Sequence, residues 1–135
     1  MGCDIYAYAE KKDEQGQWVY LPDVSPFDIR NYTLFSFLAG VRNYMNIIPV
    51  SVPRGFPDDA SPEVLVEYMT DGDWHSASWL TIVELMSFDY GQLVGVREVG
   101  KAPRPVAAFL GEWYFDEIER LSSLGVERVV FWFDS

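Results

Sequence analysis

The chain has 135 residues, 49% hydrophobic, 16% aromatic and 23% charged, and a formal net charge of -11. That length and apolar content suit one domain with a buried core and exclude a disordered chain. Twenty-one acidic residues against ten Lys and Arg exclude long nucleic acid as a partner, because counterion release needs clustered cations. A small ligand with one or two phosphates stays compatible, since two or three local Arg outweigh a distant negative field within about 8 Å.

No apolar run approaches the roughly 18 residues that span a bilayer. The opening Met1-Gly2-Cys3-Asp4-Ile5-Tyr6 lacks the basic start and apolar stretch of a signal peptide. Tyr6 also stands where an N-myristoylation signal wants Ser or Thr. The single cysteine, Cys3, forms no internal disulfide, which suits a reducing compartment. A cytoplasmic protein without membrane association is expected.

From residue 3 to 10, Cys3, Ile5, Ala7 and Ala9 alternate with Asp4, Tyr6, Tyr8 and Glu10, the period of a strand. A polar turn at 12–16 and the strand-like Trp18-Val19-Tyr20-Leu21 complete a hairpin, which Pro22 ends. Leu34, Phe35, Leu38 and Val41 recur at helical spacing with Gly40 near a natural stop, and Asn31 is placed to cap that helix. Residues 46–60 carry three Pro and a Gly and read as irregular loop. Ser61-Pro62-Glu63 starts a second helix that runs to Met69 and breaks at Asp71-Gly72-Asp73. The stretch 73–79 reads as a loop, followed by a helix capped by Ser78 or Thr81. Gly91, Gly95, Gly100, Pro103 and Pro105 break any long element over 91–106. A helix over 107–124 stops at Gly125, and Val129-Val130-Phe131-Trp132-Phe133 is a strand buried on both faces. The fold class expected is a single α+β domain over residues 1–135: an N-terminal β-hairpin and a buried C-terminal strand in a small sheet, packed with several short helices. Pairing of the first and last strands would bring Asp4, Tyr6 and Tyr8 close to Trp132 and Asp134.

Three polar-aromatic clusters lack core periodicity: Arg30-Asn31-Tyr32, Val52-Pro53-Arg54-Gly55 and Asp73-Trp74-His75-Ser76-Ala77-Ser78-Trp79. Their residue types suit a small nucleotide. Tyr6, Tyr8, Tyr32 and Trp74 would stack on bases, Arg30, Arg42 and Arg54 would take phosphate, and Asn31, Asn43, His75, Ser76 and Ser78 would read polar edges. Each has a plainer alternative. Arg54 sits near Asp58 and Asp59 for a surface ion pair, Arg42 is placed to cap the first helix, and Trp79 suits a core. Asp73 is placed to fix the His75 tautomer or to cap the next helix. One Cys and one His give no structural zinc spacing, and neither a phosphate-cradling loop nor a nucleophilic triad is evident. No metal or cofactor is expected.

The opening Met1-Gly2-Cys3-Asp4-Ile5, Arg30-Asn31-Tyr32 with Leu34-Phe35, and Leu38-Ala39-Gly40-Val41-Arg42-Asn43 form a pattern. It continues through Pro53-Arg54-Gly55, His75-Ser76-Ala77-Ser78-Trp79-Leu80-Thr81 with Glu84-Leu85, and Val130-Phe131-Trp132-Phe133-Asp134. The whole resembles a family of small phage and bacterial proteins. Tyr6 departs from it, standing where the family has His after Cys-Asp-Ile. The resemblance implies a viral context and a host cytoplasm, and the missing His counts against an enzyme or a metal site. As a class, small phage proteins of this kind resemble viral sponges that sequester cyclic oligonucleotide or ADP-ribose-derived immune signals. The expectation is a non-catalytic, anti-defence nucleotide-binding protein, and a homo-oligomer with a pocket between subunits is compatible with that job. The alternatives are a phosphodiesterase or nucleotide hydrolase using His75, and an acidic inhibitor that binds a basic host protein.

Overall fold

The computed structural model describes residues 2–70, 72–94 and 102–135. In chain order the elements are β1 (Ile5–Lys12), β2 (Trp18–Leu21), α1 (Tyr32–Ala39), α2 (Pro62–Tyr68), β3 (His75–Thr81), α3 (Ile82–Ser87), β4 (Leu93–Val94), β5 (Arg104–Pro105), α4 (Val106–Ser123) and β6 (Arg128–Phe133). Four of the strands form an antiparallel sheet in the order β2-β1-β6-β3, so the first and last strands are neighbours, as their patterns predict. Asp71 and residues 95–101, where part of the broken 91–106 stretch was expected, lie outside the described residues. Among the described residues no helix is long and apolar enough to cross a membrane.

All six residues of β6 are buried, so this strand divides the core. Period two sends Val129, Phe131 and Phe133 to one face, where they meet Leu34, Phe35, Leu38, Leu85, Ile118 and Leu121 from α1, α3 and α4. Val130 and Trp132 go to the other face, with Val64 of α2 and the rings of Tyr6, Tyr8, Tyr20, Phe56, Tyr68 and Trp74. On this second face Tyr8 stacks on Trp132 at 5.0 Å and Tyr68 meets it edge-on, also at 5.0 Å. Such pairs add about 0.5–1.5 kcal/mol each beyond burial.

The local signals act as their chemistry dictates. Asn31 Oδ1 accepts the Leu34 N–H at 3.1 Å and caps α1, and Gly40 ends it in the left-handed region at φ 70°. Thr81 and Glu84 form a reciprocal capping box on α3. Gly125, at φ 81°, follows α4 as expected, while Gly111 (φ 78°, ψ 173°) breaks that helix internally where the sequence suggests one continuous run. The segment 73–79 also differs from expectation. His75–Thr81 pairs with β6 as an edge strand, interrupted by a bulge between His75 and Ser78 that holds Ser76 at φ 57°. Short polar side chains masked the pattern there, because a strand completed by tertiary pairing needs little periodicity of its own.

One ionic contact crosses the sheet inside this core. Glu10 on β1 and Arg128 on β6 are cross-strand partners, 0% and 2% exposed. Arg128 donates Nε and Nη2 to Glu10 Oε1 at 2.8 and 2.5 Å and Nη1 to Asp59 Oδ1 at 2.8 Å. The second Glu10 oxygen accepts the Ser61 N–H at 2.7 Å. Removing one partner leaves an uncompensated buried charge, so Arg128→Ala is expected to lower the unfolding free energy by about 3–5 kcal/mol in urea titration. The double variant Glu10→Leu/Arg128→Met should cost less than Arg128→Ala alone.

Candidate functional site

The twelve residues singled out from the sequence fall into three places. Arg30, Asn31, Tyr32, Arg42 and Asn43 surround the ends of α1. Arg30 donates Nε and Nη2 to the two oxygens of Asp4, both at 2.9 Å, and holds the Asp4 carboxyl below its usual range. The Tyr32 hydroxyl accepts the Cys3 N–H at 3.1 Å, and the Arg42 guanidinium lies 5.3 Å over the Tyr32 ring. Gly40 in the left-handed conformation closes the helix end through its backbone N–H. Asn43 clamps the following loop, donating to Ile47 O and accepting from Ile47 N.

Tyr6, Tyr8, Trp74, His75 and Ser76 lie at one end of the sheet. The Tyr6 hydroxyl donates to Asp134 Oδ2 at 2.8 Å, and Asp134 Oδ1 accepts the Asp4 N–H, so the contact expected between the two chain ends is made. The same carboxylate raises the Tyr6 hydroxyl pKa. Burial first, then the Glu67 charge, push Tyr8 up to about 12. Trp74 packs on Tyr6 at 4.9 Å and donates Nε1 to Tyr68 O. His75 has its Nδ1 3.0 Å from Ser76 Oγ and its Nε2 2.7 Å from Ser135 Oγ, so serine hydroxyls, not Asp73, fix the ring. The Tyr6, Tyr8 and Trp74 rings are spent on one another and on Trp132 as a packed aromatic layer, while His75 stacks on Phe133.

Arg54 and Ser78 lie elsewhere, at the outer edge of β3. Ser78 Oγ accepts the Arg54 N–H at 3.0 Å and the Gly55 N–H donates to Ala77 O at 2.9 Å, so residues 54–55 run along the strand edge. The Arg54 guanidinium lies 4.6 Å over the Trp79 ring. It pairs with both oxygens of Glu84 instead of with Asp58 or Asp59.

This third place opens a groove of about 580 Å³, whose lining includes Lys12, Trp18, Arg54, Phe56, Trp79 and Arg128. Its volume falls inside the roughly 300–1,000 Å³ range of ligand pockets. Strand alternation puts Lys12, Trp18, Trp79 and Arg128 on the same sheet face. Arg128 lies 4.0 Å over the Trp18 ring and 5.6 Å from Trp79, and the Lys12 ammonium lies 5.1 Å over Trp18. Trp18 Nε1 donates to Asp59 Oδ2 at 3.1 Å, which fixes the indole against the 56–59 segment. Both indoles keep part of their surface open. The groove therefore sets two aromatic edges beside Lys12 and Arg54, with the paired Arg128 beneath and the carboxylates of Asp58 and Asp59 also in its lining. Among the described residues no three His, Cys, Asp or Glu side chains converge in a metal-binding arrangement.

Of the twelve, the groove gathers Arg54 in its lining and Ser78 behind it; Trp18, Lys12 and Arg128, which also line it, were not among them, nor was Glu84, the partner of Arg54. A signal for Arg128 and Glu10 was present. Both are charged residues in phase with strand positions that face a core, and such residues are buried only when paired. Nothing local marked Trp18, whose role arises from cross-strand placement.

The Arg54 fork, against the opposing effect of burial and with further help from the Thr81 backbone and hydroxyl, brings the Glu84 carboxyl from 4.5 down to about 2. Its folded pKa lies below the unfolded one, so its stabilisation is full above about pH 4.5 and is lost as pH falls toward 2. Thermal melts across that window should show a steeper loss of Tm in the wild type than in Glu84→Gln, which lacks this titration. No protein-family model, no curated protein and no solved structure matches this chain.

Proposed function

We propose that this protein binds a small nucleotide in the Trp18–Trp79 groove and holds it without chemical change, as a viral anti-defence sponge for a nucleotide immune signal would. The observation that carries this reading is the convergence of two partly open indoles with Lys12 and Arg54 in one concavity. A base placed against an indole contributes about 1–3 kcal/mol, and a charge-assisted phosphate contact about 1.5–3 kcal/mol. Together these offset part of the association cost and leave a surplus for binding. The viral setting comes from the sequence resemblance alone. No observation favours a hydrolase acting through His75, whose two ring nitrogens are both engaged by hydroxyls.

A second reading has its own support. Arg30, Arg54, Arg120 and Arg128 are each paired with a carboxylate of this chain, so the charge of -11 is carried outward by acidic residues. That suits a basic protein partner. A thermal-shift panel of cyclic dinucleotides, cyclic trinucleotides and ADP-ribose derivatives, with chromatography of each mixture, separates the cases. The expected result is a raised Tm with one nucleotide class, the ligand recovered intact, and the shift lost in Trp18→Ala. A new product would make the protein an enzyme, a shift unchanged in Trp18→Ala would move the site, and silence across the panel would leave the protein-partner reading.

A further inference from the structure

Helix α3 carries apolar side chains on both of its sides. Ile82 and Leu85 are buried in the core, while Val83 and Met86 are 72% and 59% exposed. A helix that is apolar all round is normally covered all round, and the outer side of α3 is left open. Beside it, α4 helps to form a concavity of about 440 Å³. Its floor is the buried pair Leu85 and Ile118, and its sides include Met86, Tyr90 and Phe115. Tyr90 and Phe115 meet edge-on at 4.9 Å, and the Tyr90 hydroxyl donates to Leu85 O at 2.5 Å, so this aromatic end is already in place. A second concavity of about 410 Å³ shares Met86 and Ser122 with the first and adds Val83, Val126 and Glu127. Together they make one apolar trough. Contiguous apolar surface marks an interaction site in a way that single exposed side chains do not.

The trough has a negative rim. Glu119 lines the first concavity and Glu127 the second. Asp116 and Glu112, one and two turns before Glu119 on α4, are exposed and extend the row. None of these carboxylates makes an ion pair with a described residue. Arg120, the neighbour of Glu119, is drawn away to Glu117 and Val24 O. The cation that lines the second concavity, Lys12, lies over the Trp18 ring.

We infer that this trough docks a basic amphipathic helix of a partner protein. This docking rests on the basic-partner reading and is independent of nucleotide binding. The walls are helices, which offer no strand edge, so an extended segment would bury unpaired backbone groups there. A helix satisfies its own. From Phe115 to Ser123 the trough follows about 12 Å of helix axis, room for about two turns with apolar anchors at i, i+3, i+4 and i+7. The flexible thioether of Met86 adapts to such anchors. A second copy of this chain fits badly, because it brings a further charge of -11 and the same row of carboxylates. Lys and Arg flanking the anchors meet that row with opposite charge.

The test uses two labelled peptides of identical Leu and Lys composition, about 14 residues long or roughly 21 Å as helices. One gathers Leu on a single helical face and the other scatters it. Fluorescence anisotropy at near-physiological salt should show the amphipathic peptide binding about tenfold tighter, the scale of one large apolar side chain covered. Met86→Lys should remove that preference, and Glu119→Lys should weaken binding and flatten its salt dependence. Val66→Lys, at an exposed apolar position on α2, should leave binding unchanged. All three positions are exposed, and thermal melts check that each variant is folded. Equal binding of the two peptides, unaffected by Met86→Lys and abolished at about 0.5 M salt, overturns the trough and leaves a basic partner held by charge alone. A preference that survives Met86→Lys places the seat elsewhere and also overturns it. Absence of binding by either peptide overturns both the trough and the basic-partner reading.

Discussion

The Glu10–Arg128 pair is the contact on which the second face of the sheet depends. Two fully desolvated charges are costly unless every donor and acceptor finds a partner. Here one carboxylate and one guanidinium draw in Ser61 N and Asp59, and so fasten the start of α2 and the preceding segment to the centre of the sheet. Arg128 is in turn flanked by Trp18 and Trp79, which come from strands on opposite edges. The arginine thus spans β2, β1, β6 and β3 at one level. The groove is the surface expression of that buried row.

The two halves of the second face serve different ends. Toward the chain termini, Tyr6, Tyr8, Tyr68, Trp74 and Trp132 pack ring against ring and leave little room for a ligand. Toward the Glu10–Arg128 level, cations alternate with indoles and the packing opens. The bulge at Ser76 separates the two, because the extra residue turns His75 away from the register followed by Ser78 to Thr81. Beyond it, residues 54–55 cover the β3 edge and bring Arg54 over Trp79. A covered edge also removes a template for pairing with another chain.

Much of the fold was legible in the chain. The alternation over residues 3–10, the apolar run 129–133, and the caps at Asn31, Thr81 and Gly125 each rest on interactions within a few residues. The site was less legible. Arg30 reads as a phosphate ligand until Asp4, far back in the chain, takes its guanidinium. Asn31 reads as a polar contact or a cap, and the structure uses it as a cap. Tyr6 and Trp74 are the right types for stacking but stack on each other. Arg54 was recognised by its place between Pro53 and Gly55, yet its partner Glu84 lies 30 residues away.

By itself, the sequence determined the α+β composition, the hairpin, the helix ends, the doubly buried last strand and the acidic balance, because periodicity, capping and charge act locally or by simple sum. Only the tertiary structure decided that 73–79 is a bulged strand, which arginines are neutralised by which carboxylates, and that Trp18 and Trp79 face one groove with Lys12, Arg54 and Arg128. Those outcomes depend on strand order and register, which bring together residues more than a hundred positions apart, as Glu10 and Arg128 are. No local pattern encodes such a meeting.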